Sequence, residues 1–157
     1  MNILLVSDTY LPYITGVAIS TDNIARFMLS RGHNVTIIYP KQLANSYAEY
    51  PKGLKRIVVP ALPFSFYNHN VTANIFVALK LIENKINTTK FDIVHIQEPG
   101  LVGLCALYKA KKHGIPVVGA LHFIPEQIDR VLWGYFEKVF TPIINVFVHM
   151  FITNMTR

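Results

Sequence analysis

At 157 residues the chain is long enough for one domain with a buried core, and its single cysteine, Cys105, allows no intrachain disulfide and reads as a buried thiol. Fifteen Lys and Arg against nine Asp and Glu give a formal charge of +6, which favours an anionic partner. A hydrophobic fraction of 52% points further, to a membrane surface or a partner domain, and sets nucleic acid behind both.

The first predicted element is a strand. Ile3, Leu4, Leu5 and Val6 form a continuous apolar run of the kind a parallel sheet buries on both faces. No basic stretch or small-residue cleavage site marks this opening as a secretory signal, so the chain reads as cytoplasmic. From Ser7 to Gly16 it turns polar, with Asp8, Thr9, Tyr10, Tyr13 and Thr15, stiffened by Pro12. Open α/β sheets bind ligands beyond the carboxyl ends of their strands, and a glycine at a helix start lets backbone N–H groups approach an anion. A phosphate-bearing ligand is therefore expected near Gly16.

Val17 to Arg31 carries Thr21, Ile24, Phe27 and Met28 at helical spacing, with Gly32 as a left-handed cap. Asn34 to Tyr39 supplies a β-branched second strand closed by Pro40, completing a βαβ unit. Lys41 to Lys55 reads as loop, and Arg56 to Val59 as a short third strand. In Pro60 to Asn70 the aromatics Phe64, Phe66 and Tyr67 are expected to pack under the sheet edge, with an acceptor-side flap as the alternative. Val71 to Ile86 places Ile75, Leu79, Ile82 and Ile86 on a second helix. Asp92 to Ile96 is a fourth strand whose polar end holds Gln97 and Glu98. Leu101, Leu104, Cys105 and Tyr108 mark a third helix, with Lys109, Lys111 and Lys112 suited to its C-terminal dipole and Gly114 as its cap. Pro116 to Ala120 is a fifth strand, whose end delivers His122.

This alternation predicts an α/β fold, a Rossmann-like, doubly wound, largely parallel sheet occupying residues 1–157 as one domain. Val139 to Thr156 contains no Asp, Glu, Lys or Arg, but Pro142, Asn145, His149, Thr153 and Asn154 interrupt it. A buried or interfacial helix is expected there rather than a membrane span. Known ligand motifs are missing. Gly16 alone does not make the three-glycine dinucleotide turn, and Pro40-Lys41 replaces the acidic residue that should close the second strand. No Gly-x-x-x-x-Gly-Lys run, paired zinc spacing or Asp-x-Asp occurs, so a metal-independent chemistry with no cofactor fits.

Four groups of residues stand in a telling order: Asp8, Tyr10, Pro12, Gly16 and Val17; Arg31-Gly32-His33 with Val35; His95-Ile96-Gln97-Glu98-Pro99; and Leu121-His122-Phe123-Ile124-Pro125-Glu126. In these the chain resembles, over most of its length, the retaining GT-B glycosyltransferases of family four. Its opening loop is most similar to those of members that glycosylate membrane lipids, such as glycosyldiacylglycerol synthases and phosphatidylinositol mannosyltransferases.

The resemblance implies a two-domain enzyme in which residues 1–157 form the N-terminal, acceptor-side half and a C-terminal half holds the nucleotide sugar. It assigns Gly16 and Val17 to the donor phosphates and His122 to the transferred sugar, as the catalytic-site residue but not a nucleophile. Acceptor contacts would fall to Asp8, Tyr10, Tyr13, His95, Glu98 and Glu126. Read without the resemblance, His95 divides evenly between site and core, and Glu98 and Glu126 lean towards solvated residues or partners of Arg130. The implied partners are a nucleotide sugar, a membrane-lipid acceptor, the C-terminal domain and an anionic membrane surface met by Lys41, Lys52, Lys55 and Arg56, at the inner face of the cell membrane; nucleic acid is not among them. The family's nucleotide-binding basic residues and paired glutamates belong to the second half, so this chain alone is expected to be inactive. The competing readings are a noncatalytic sugar- or nucleotide-binding module and a basic membrane-surface domain.

Overall fold

A computed structural model of the chain describes residues 1–42, 48–63, 71–98, 100–120 and 122. Five strands form an all-parallel sheet: β1 (Asn2–Val6), β2 (Asn34–Pro40), β3 (Lys55–Val59), β6 (Ile93–Ile96) and β7 (Val117–Gly119), in the spatial order β3-β2-β1-β6-β7. Between them run the helices α1 (Gly16–Ser30), α2 (Ile75–Thr88) and α3 (Leu101–Lys112). Two further short strands, β4 (Ala61–Pro63) and β5 (Val71–Ala73), pair antiparallel as a separate ribbon. The expected doubly wound α/β architecture is present.

The chain builds the sheet outwards from β1, first to β2 and β3 and then, on the other side, to β6 and β7. The reversal leaves a crevice beyond the carboxyl ends of β1 and β6, where such sheets place ligands. Register links the strands across it, with Leu5 opposite both Ile37 and His95, and His95 opposite Val118. Alternation of side chains then decides which residues meet which helix layer. Leu4, Val6, Ile38, Val94 and Ile96 pack with Ile82 and Ile86 of α2 and Val102, Ala106 and Ala110 of α3. Leu5, Ile37 and Tyr39 face the opposite way, to Ala25, Ile24 and Met28 of α1. Cys105 lies in the first cluster, where burial raises its thiol to about 11 and leaves it inert.

Helix ends follow local chemistry. Thr15 Oγ1 accepts from the N–H of Ala18 at the start of α1, and Gly32 takes the left-handed conformation past its end at φ 78°. The sequence pattern starts the second helix at Val71, whereas the structure starts it at Ile75. Val71–Ala73 is drawn into the ribbon with Ala61–Pro63, and Asn74 caps α2 by accepting from the N–H groups of Phe76 and Val77. At the sheet edge, β3 exposes Lys55 and Arg56, a common protection against edge-to-edge pairing. The Arg56 guanidinium stacks 3.6 Å from the Tyr50 ring centroid. The aromatics Phe64, Phe66 and Tyr67, residue Glu126 and the uncharged stretch from Val139 lie outside the described residues. Among the described residues, no helix is long and apolar enough to cross a membrane.

Candidate functional site at the carboxyl rim of the sheet

The loop after β1 divides into an inward part and an outward part. Asp8 turns inward to α3, its carboxylate accepting from the N–H groups of Val102 at 2.9 Å and Gly103 at 3.0 Å. It thereby satisfies two donors of a helix whose own N-cap, Gly100, has no side chain to offer. Gly100 is required by this approach, because a Cβ there would overlap the Asp8 carboxyl. A Cβ on Gly103 would likewise meet the Glu98 carbonyl oxygen. Burial pushes the Asp8 carboxyl up to about 7 and the nearby Glu98 carboxylate adds to the rise, while the N–H groups of Val102, Gly103 and Leu101 oppose it. Burial also raises Glu98, whose Oε1 lies 3.2 Å from Ser7 Oγ.

Tyr10 is fully buried, and its hydroxyl donates to Asp22 Oδ1 at 2.7 Å. Arg26 Nε holds the other oxygen of that carboxylate at 2.7 Å, and the Tyr39 ring meets Tyr10 edge-on with centroids 4.9 Å apart. Burial, then Asp22, drives the Tyr10 hydroxyl far above the usual tyrosine range. These contacts tie the loop to α1. Tyr13 is half-buried in a turn, its N–H donating to the Tyr10 carbonyl at 3.2 Å.

Gly16 lies on the outward part, exposed, as the first residue of α1. A Cβ built on it meets no atom within 4 Å, so the fold itself does not demand glycine there. With Thr15 Oγ1 committed to Ala18, the N–H groups of Gly16 and half-buried Val17 have no protein acceptor among the described residues. A groove of about 490 Å³ runs from Gly16 along Ile19, Ser20, Asn23, Ile24, Phe27 and Met28, with His95 on its wall.

From His95 a polar chain crosses to β7. The fully buried Gln97 amide places its Nε2 2.9 Å from His95 Nε2 and its Oε1 3.2 Å from His122 Nε2. Burial lowers the His95 imidazole, and His122 lowers it further. His122 itself is exposed. Gly16, His95 and His122 therefore converge on one rim, while Asp8 and Tyr10 are turned into the protein. The sequence places Gln97 at the polar end of its strand but gives it no role. The signal was its position two residues after His95, on the same face at a strand end. Among the described residues, no group of three or more His, Cys, Asp or Glu side chains is placed to hold a metal ion.

A family model described as Glycosyltransferase Family 4 matches residues 14–155. The chain belongs to glycosyltransferase family 4. The matched stretch contains Gly16, Val17, His95, Glu98, His122 and Glu126, and begins just after Tyr13. This family-4 chain is 29% identical over 124 residues to an alpha-monoglucosyldiacylglycerol synthase from Acholeplasma laidlawii, covering 78% of itself and 30% of that protein. It is 29% identical over 132 residues to an uncharacterized 42.6 kDa protein in the cps region of Klebsiella pneumoniae, covering 75% of itself and 35% of that protein. The chain thus spans about a third of these curated relatives.

Among solved structures it is similar to the sucrose-phosphate synthase from Thermosynechococcus elongatus, with a TM-score of 0.59 and 15% identity over 82% of this chain and 35% of that one. It is also similar, with a TM-score of 0.51 and 16% identity, to the C-terminal domain of the PF1911 hydrogenase from Pyrococcus furiosus, over 76% of this chain and 89% of that one. Likeness at this level of identity speaks for the fold alone.

Proposed function

We propose that the chain is the acceptor-side half of a retaining glycosyltransferase that moves a hexosyl group from a nucleotide sugar to a membrane lipid without a metal ion. Gly16 carries this reading. It is a glycine that the fold does not need, at the start of a helix beside the sheet's crevice, within the stretch matched to family 4. Breaking the bond between a sugar and a nucleoside diphosphate builds negative charge on the phosphate and positive charge on the ring. The N–H groups of Gly16 and Val17, at the positive end of α1, suit the first. His122, exposed and held from behind by Gln97, suits a hydroxyl of the transferred sugar. Asp8 and Tyr10 serve the acceptor indirectly, by fixing the loop that carries Tyr13 and Gly16.

The lipid acceptor is supported by similarity to a protein named as a diacylglycerol-lipid synthase. The exposed Lys41, Lys52 and Lys55 supply charge for anionic head groups. The nucleotide then belongs to a C-terminal domain, and the enzyme works peripherally at the cytoplasmic face.

The test uses the full-length protein, labelled nucleotide sugars, and vesicles with or without anionic lipid. Transfer to lipid with retained anomeric configuration, insensitive to chelator, is expected. Gly16→Val should lower turnover on the order of a hundredfold, the scale seen when a backbone-type anion contact is lost. Its melting temperature should not fall, since a Cβ at this position meets no atom within 4 Å. Unchanged turnover in a folded Gly16→Val would remove the phosphate site, and transfer only to water-soluble acceptors would remove the lipid.

A further inference from the structure

Gln97 joins the two histidines of the rim, and a primary amide joins two imidazoles in a restricted way. It has one donor end and one acceptor end, so the two ring nitrogens facing it must differ: one carries a proton and the other a lone pair. Gln97 Nε2 lies 2.9 Å from His95 Nε2, and Gln97 Oε1 lies 3.2 Å from His122 Nε2. We propose that Gln97 is a positioning residue that holds the two histidines in opposite tautomers, His95 with its proton on Nδ1 and His122 with its proton on Nε2, so that neutral His122 presents a lone pair at Nδ1.

Three observations support the assignment. Gln97 is fully buried, so water does not compete for the amide, and its backbone N–H is bonded to the Val6 carbonyl at 2.8 Å, which anchors the residue between β1 and β6. A buried amide with an unmet end is costly, which opposes rotation away from either ring. Burial pushes His95 towards its neutral form, and a neutral ring keeps the lone pair that the amide N–H requires.

The consequence is chemical selectivity. A lone pair at Nδ1 accepts a hydrogen bond and cannot give one. His122 in this state recognises a hydroxyl donor, such as a sugar hydroxyl, and disfavours a phosphate or carboxylate oxygen in the same place. This deepens the proposed sugar contact of His122 and rests on it for its catalytic meaning, while the tautomers themselves do not depend on it.

The experiment is long-range proton–nitrogen correlation NMR on the full-length protein labelled with ¹⁵N-histidine, with His95→Asn and His122→Asn used to assign signals. The expected result is a protonated Nε2 and lone-pair Nδ1 for His122, and the reverse for His95. Gln97→Glu offers acceptors to both rings, so His95 should move its proton to Nε2 and the two rings should become alike. Gln97→Leu should return both rings to mixed tautomers and lower turnover by roughly tenfold or more, with nucleotide affinity retained. Like tautomers in the wild type, the inverse pair, or no change of tautomer in folded Gln97→Leu would each overturn the assignment. If a variant fails to fold, the wild-type spectrum alone decides. Tautomers that respond as expected while turnover stays unchanged would uphold Gln97 and remove the sugar contact of His122.

Discussion

Beneath α2 and α3 the sheet presents Leu4, Val6, Ile38, Val94 and Ile96 to one continuous apolar cluster, whereas towards α1 the same strands present Leu5 and Ile37 beside Tyr10, Tyr39, His95 and Gln97. The first face is closed by two helices that also bind each other through Glu83, with Lys109 at 2.8 Å, Lys112 at 3.5 Å and His113 at 3.1 Å. The second carries the buried Tyr10 hydroxyl, Asp22 carboxylate and Gln97 amide, each with a partner that fixes it, and borders a groove. A single sheet thus separates its tasks by side-chain parity: one set of alternate residues holds the domain together, and the other orients polar groups at the rim.

This contrast can be broken most forcefully from the apolar side. Ile82→Ala, at a fully buried position of α2, should cost about 2–5 kcal/mol of unfolding free energy by urea titration, through lost transfer energy and the cavity left behind. It should leave nucleotide affinity intact in molecules that remain folded. An equal loss of affinity would mean that the two faces are not separate in task.

A smaller effect is expected from the polar face. Tyr10→Phe removes the hydroxyl that donates to Asp22 and should cost about 1–2 kcal/mol, since a buried carboxylate oxygen loses its donor. A cost below a few tenths would show that water replaces the hydroxyl freely and that the loop is not fixed by this contact.

The smallest effect concerns the rivet between α2 and α3. Glu83 is lowered to about 2 from 4.5, first by Lys109 and then by His113. A depressed carboxyl lends its stability above its unfolded value and loses it as the pH falls through its folded one. The difference in melting temperature between wild type and Glu83→Gln should therefore be present near neutrality and vanish as the pH falls from about 4.5 to about 2. A gap independent of pH would assign the effect to packing rather than charge.

The sheet and its helices were legible in the sequence because each rests on local periodicity: the apolar run Ile3–Val6, the β-branched Asn34–Tyr39 and the Ile75–Ile86 stripe all read directly. The β4–β5 ribbon was not, because its strands are short and one lies among prolines, so only mutual pairing defines them. At the rim, the motif order picked out Gly16, His95 and His122, but not what holds them. Asp8 and the N–H of Val102 are 94 positions apart, and no local pattern joins them. The paired Gly100 and Gly103 were the available hint, since two glycines opening a helix beside a strand end mark a close approach. The pairing of Tyr10 with Asp22 was hidden for a similar reason: a tyrosine in a polar loop reads as a ligand contact until its hydroxyl is seen to face a helix.

Asp8 also governs where further negative charge is refused. Two helices direct their positive ends at the same rim, and at α3 the carboxylate already occupies the donors, with Glu98 close beside it. An anion arriving there would find the N–H groups of Val102 and Gly103 already taken by Asp8, whereas at α1 it would meet those of Gly16 and Val17. The protein's own acid thus acts as a resident occupant of one helix start and leaves the other open, giving the crevice a polarity.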